Sequence, residues 1–151
     1  MKRGDLIAFL LFLGQSSLVL YLSFYRTPVL PGLGEGYLNI SFWPLSEALS
    51  GTRTLGYPLF HTALAPLGRG LAVYPPIQML VLILCAGVFA KGLRAYGLSG
   101  VTSVVASSPL LWVISPALIM PVTLAKGFSV AAIGFLLWAI GTRNRFAYLG
   151  M

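Results

Sequence analysis

Four apolar runs dominate this chain and constrain it more than any single residue does. They cover Leu6 to Phe24, Leu71 to Ala90, Leu98 to about Leu124, and Phe128 to Ile140 with room to extend at either side. Several approach the roughly 20 residues that cross a bilayer as a helix. Of the 151 residues, 58% are hydrophobic and only 9% charged, against about 25% charged in a soluble domain. So few charges cannot clothe a water-facing surface around that much apolar mass, which argues against a very hydrophobic soluble protein. Spanning segments must satisfy their own backbone hydrogen bonds, and the alternating pattern of a barrel is missing from the sequence. The expectation is an all-α, polytopic integral membrane protein forming a single membrane domain. Its spans fall at about 6–25, 71–90, 98–121 and 126–141, with an outer loop over 26–70.

The net charge of +7 does not point to nucleic acid. The ten Lys and Arg sit at the ends of apolar runs rather than along one face, and membrane topology explains that placement. With four spans, Lys2, Arg3, Lys91, Arg94, Arg143 and Arg145 share one side, and Arg26, Arg53, Arg69 and Lys126 the other. The positive-inside rule makes the first side cytoplasmic and puts the N-terminus there, in a bacterial inner or plasma membrane. A cleaved signal peptide is the competing reading of the first run. That run is long for a signal core, and Tyr25-Arg26-Thr27-Pro28 follows it where a small-x-small site would be needed.

Punctuation marks the remaining boundaries. Pro75-Pro76 suits the start of the second helix, with Tyr74 as an interfacial anchor. Lys91 to Gly97 reads as a short basic turn. Pro109, Pro116 and Pro121 predict kinks or a break in the third run, and small residues and prolines between Gly97 and Pro121 suit close helix packing. Cys85 is alone inside an apolar run, so it forms no intrachain disulfide and reads as a small apolar residue, buried or lipid-facing. The chain has no Cys/His metal spacing, phosphate loop or nucleophile elbow, and neither metal nor cofactor is expected.

Polar chemistry concentrates between the first two runs. Two of the three acidic residues, Glu35 and Glu47, lie in RTPVLPGLGEGYLNISFWPLSEALSGTRTLGYPLF, which covers 26–60. Pro and Gly at Pro28, Pro31, Gly32, Gly34 and Gly36 favour turns. Pro44 and Gly51 then bracket a short interfacial helix, with Glu47 on its polar face. Glu35, flanked by glycines near the membrane surface, can approach a ligand closely and act as a general base if desolvated. Its plain alternative is a solvated loop acid. Arg53 and Arg69 have the chemistry to hold a lipid phosphate, the alternative being simple anchoring at the interface. His61 beside an apolar stretch is more often a packed residue than a catalyst. Asp5 reads as an acid at a helix N-terminus.

The order of these pieces resembles the N-terminal part of polytopic glycosyltransferases of the GT-C class, the dolichyl-phosphate-mannose-protein mannosyltransferase and aminoarabinose transferase relatives. The matching pieces are Glu35-Gly36-Tyr37-Leu38, then Leu45 to Gly51, then Arg53-Thr54-Leu55-Gly56-Tyr57-Pro58-Leu59-Phe60. The later Ser108-Pro109-Leu110 and the run after Lys126 fit the same rhythm. The resemblance implies sugar transfer from a polyprenyl-phosphate donor on the outer face. Glu35 would be the base that deprotonates the acceptor, and Arg53, Tyr57, His61 and Arg69 would contact donor or lipid. Family enzymes are several times longer, so the expectation is a truncated or diverged module, incomplete as an enzyme alone. The other reading is a non-catalytic transmembrane subunit packed against a larger membrane complex. Membrane lipids are partners under both.

Overall fold

The computed structural model describes residues 3–25, 73–112 and 121–149, with side chains of the last helix described over 124–143. All of these segments are helical apart from a single turn, and no strand occurs among them. Helix α1 covers Arg3–Tyr25, α2 Tyr74–Tyr96, α3 Gly100–Trp112 and α4 Pro121–Leu149. At 1.5 Å per residue the 23 residues of α1 and of α2 each measure about 35 Å, and the 29 of α4 about 43 Å. Three stretches, Arg3–Tyr25, Tyr74–Tyr96 and Leu124–Arg143, are long and apolar enough to cross a membrane. The 13 residues of α3 reach only about 20 Å, short of the roughly 30 Å hydrocarbon core. The expected third span over 98–121 is thus helical to Trp112, and 113–120 lies outside the described residues.

Local chemistry sets the visible boundaries. Pro75 and Pro76 occupy the first turn of α2, where a missing N–H costs nothing and the fixed φ is already helical. The basic turn expected over Lys91 to Gly97 is instead helical as far as Tyr96, and only Gly97 ends α2, with φ +128°, a conformation that disfavours any side chain. Its N–H bonds the Arg94 carbonyl at 3.2 Å, and the Leu98 N–H bonds the Leu93 carbonyl at 3.1 Å. This crossed pair satisfies carbonyls that the helix end would leave open. Ser99 then caps α3 by accepting the Thr102 N–H at 3.1 Å. Pro109 removes the N–H that would otherwise bond the Val105 carbonyl one turn back.

The helices alternate in direction. Gly100 at the start of α3 lies against Ala8 and Asp5, near the start of α1, so these two run parallel. Gly87 of α2 meets Phe12 of α1, while Arg94 meets Asp5, so α2 runs against α1. Gly127 faces Leu82 and Cys85, Gly134 faces Phe89, and Gly141 faces Ala95, so α4 runs parallel to α2. The most extensive contact in the bundle is that between α2 and α4, which α3 separates in sequence. Within the Gly97–Pro121 region, Gly100 lies close against Ala8, and Ser103 and Ser107 are buried. A further close seam runs between α2 and α4, where glycines at 127, 134 and 141 recur at the seven-residue interval that keeps one helix face on a partner.

Burial is inverted relative to a water-soluble bundle. Leu6, Phe9, Leu10, Leu13 and Phe24 of α1 point outward, each at least 45% exposed. The inward stripe of the same helix carries Ser16 and Ser23, both buried. Gln78, Ser103 and Ser107 are also buried, beside a small apolar core of Val19, Met79, Leu82, Ala86 and Leu111. A surface this apolar suits a hydrocarbon surrounding. Three of these four buried serines meet that surrounding internally: Ser23 Oγ donates to Leu20 O at 2.7 Å, Ser103 Oγ to Ser99 O at 2.8 Å and Ser107 Oγ to Val104 O at 2.9 Å. Cys85 is free, and it is buried rather than lipid-facing. Tyr74, expected as an interfacial anchor, is buried at 2% exposure.

Candidate functional site

The loop residues singled out by sequence, Glu35, Arg53, Tyr57, His61 and Arg69, all lie outside the described residues, as does the interfacial helix around Glu47. Two other features of the bundle carry polar chemistry, one at each end.

The first is a charged end. The alternating directions bring the start of α1, the end of α2, the start of α3 and the Gly141–Arg143 region of α4 together. Arg3, Asp5, Lys91, Arg94 and Arg143 therefore share this end. Arg94 Nη2 donates to Asp5 Oδ1 at 2.6 Å, the one ion pair among the described residues. Asp5 lies in the first turn of α1 and Arg94 in the last turn of α2, so each charge also complements its own helix dipole. Lys91 Nζ sits 4.5 Å from the centroid of a Trp138 ring, a cation–π contact that ties α2 to α4. A recess of about 520 Å³ beside the pair is lined by Gly4, Asp5, Arg94, Leu98, Ser99 and Gly100. Asp5 is the chain's only acid outside 26–70, and its engagement by Arg94 leaves no free carboxylate in the described bundle to act as a base.

The second feature is a groove of about 600 Å³ between α3 and α4, floored by Phe89 of α2. Ala106 and Leu110 form one wall, and Val130 and Ile133 the other. Lys126 is its single charge. Sequence reading missed this site. The available signal was the spacing of Lys126, Val130 and Ile133, which stacks them on one helix face.

Among the described residues no group of His, Cys, Asp and Glu could hold a metal ion. The Gln15 amide nitrogen and the Ser16 hydroxyl are buried on the inner face of α1 without a hydrogen-bond partner among the described residues. Each such group costs about 1–3 kcal/mol in a dry interior. No protein-family model, no curated protein and no solved structure matches this chain.

Proposed function

We propose that the chain is a polytopic membrane module, N-terminus cytoplasmic, that presents its 26–70 segment on the outer face as part of a polyprenyl-phosphate-sugar-dependent glycosyltransferase. One observation carries the reading. Helices α1 and α2 run in opposite directions, and the ends that flank the segment, Tyr25 and Tyr74, lie away from the end holding Arg3, Asp5 and Arg94. A segment leaving α1 and entering α2 thus begins and finishes on one side. The cationic end suits the cytoplasmic face by the positive-inside rule. With Asp5 occupied by Arg94, acid–base work falls to the segment's own acids, and Glu35 is the proposed base. Arg53, Tyr57, His61 and Arg69 are the proposed donor and lipid contacts.

The test is transfer from a polyprenyl-phosphate sugar in proteoliposomes holding the chain with its native membrane partners. Glu35→Gln is expected to lower the rate by at least about 100-fold, the scale of a lost general base. Transfer that survives the substitution sinks the assignment.

A second reading is favoured by the open flanks of the bundle. Phe128, Ile133, Phe135 and Leu136 of α4 are each more than half exposed. Such a face suits a non-catalytic subunit seated against a larger membrane complex. Extraction in mild detergent then recovers a stoichiometric partner, and a clean monomer counts against it.

A further inference from the structure

The groove between α3 and α4 has a polarity that the proposed transferase reading does not use. On α4, Lys126, Val130 and Ile133 follow one another along a single face over about 10 Å. Because α3 runs the other way, Leu110 lies opposite the Lys126 end and Ala106 opposite the Ile133 end. The cation is therefore at one end of an apolar slot. That end is the one remote from Arg3, Asp5 and Arg94. Two hydroxyls also line the slot, and both are spent within their own helices. Ser107 Oγ donates to Val104 O at 2.9 Å and Ser129 Oγ to Ala125 O at 2.9 Å. Below Lys126 the side chains of the walls offer no uncommitted hydrogen-bond donor to an anionic group. Ala106, Pro109, Ser129 and Ile133 are exposed, so the slot opens sideways, and Lys126 has no ion pair among the described residues.

We infer that this slot holds one molecule of an anionic phospholipid. Its phosphate sits at Lys126, and an acyl chain lies between Leu110 and Ala106 on one side and Val130 and Ile133 on the other, over Phe89. A lysine stem suits the apolar wall while its ammonium reaches the membrane surface. The volume falls within the roughly 300–1,000 Å³ of ordinary ligand sites. Charge selects the occupant: one cation above an apolar slot matches a single anionic head on a chain. A zwitterionic head brings a cation of its own, and a second helix, about 10 Å across, brings no required negative charge.

The test is native mass spectrometry of the full chain, purified in mild detergent and titrated with phosphatidylglycerol or phosphatidylcholine. The expected result is one retained phosphatidylglycerol per chain, favoured about fivefold over phosphatidylcholine, the scale of one lysine near an anionic head. Lys126→Gln is expected to erase that preference, and Arg143→Gln, at the opposite end, to leave it intact. Ala106→Phe fills the slot from an exposed position and should lose the adduct while keeping the thermal midpoint of the parent. Equal retention of the two lipids overturns the inference, and so does equal loss in the Lys126 and Arg143 variants. A dimer that Ala106→Phe dissolves gives the slot to a second copy and overturns it too.

Discussion

A methyl group added at Gly134 on α4 would sit 2.7 Å from the Phe89 Cα and 2.9 Å from the Phe89 N. One added at Gly14 on α1 would meet nothing within 4 Å. Both glycines stand in the middle of apolar helices, yet one is a contact and the other a gap. Gly134 meets backbone, as do Gly92 and Gly141, so α2 and α4 touch main chain to main chain. Such small-residue seams let dispersion act at short range where hydrocarbon removes the hydrophobic driving force between helices. Helix α1 is attached differently. Its inner stripe mixes Ala8 and Val19 with Ser16 and Ser23, and a recess of about 370 Å³ separates Leu10, Leu11 and Gly14 from Val104 and Trp112. The pair α2–α4 is the most closely approached part of this bundle, whereas α1 joins through side chains, with Val19 in the shared core, and through the Asp5–Arg94 ion pair.

Substitutions can break this contrast. Gly134→Leu should have the largest effect, about 1–3 kcal/mol or more, because no backbone atom of Phe89 can step aside. The readout is the midpoint of denaturant-driven loss of helix packing in detergent. A midpoint equal to the parent's would mean that the seam is not there. Gly14→Ala tests the other side with the opposite sign. With open space around it, the methyl should stabilise by about 0.5–1 kcal/mol through helix preference alone. Destabilisation would show that α1 is packed more tightly than described. Arg94→Gln removes the Asp5 partner. Its side chain is 54% exposed, so the expected loss is only about 0.2–1 kcal/mol, shrinking as salt is added. A loss that salt does not change would point to packing rather than charge. Gly127→Ala should cost less than Gly134→Leu. Its methyl would meet the Leu82 Cδ2 at 2.7 Å, a side-chain end rather than backbone, though one buried in the core. A cost as large as that of Gly134→Leu would erase the distinction between side-chain and backbone contact within the seam.

How far the sequence foretold this arrangement differs from one signal to the next. Helix existence follows from the length of the apolar runs, and the start of α2 follows from Pro75-Pro76, whose backbone limit is local, whereas its end does not: Lys91 to Tyr96 reads as a basic turn by composition but continues the helix to Gly97. Which helices touch is a non-local matter, and the density of small residues over Gly97–Pro121 does not disclose the heptad of glycines on α4. Tyr74 was misjudged for a related reason. Tyrosine near a span end suits an interface, but only packing decides whether the ring turns outward or, as here, in. The Asp5–Arg94 pair joins residues 89 positions apart, and neither residue announces the other. Of the candidate site, the charge asymmetry between the two ends was legible because charges cluster beside the runs, whereas the α3–α4 groove required knowing that α3 and α4 both lean on α2. Glu35, Arg53, Tyr57, His61 and Arg69 remain a proposal from sequence.

The parallel pairing of α2 with α4 has a consequence for the order in which the protein is built. Two parallel helices cannot be joined by a tight turn, so α3 and the chain after it must be made before α4 can reach its partner. At roughly 5–20 residues per second, α2 waits for seconds with Gly92 and Phe89 facing lipid. The short turn over 97–99, by contrast, needs only local hydrogen bonds to join α2 to α3. The closest helix contact among the described residues thus waits on the synthesis of the helix between its partners. Substitutions in the glycine seam should leave membrane insertion untouched and appear afterwards, as an inserted chain that never locks and is cleared by quality-control proteolysis.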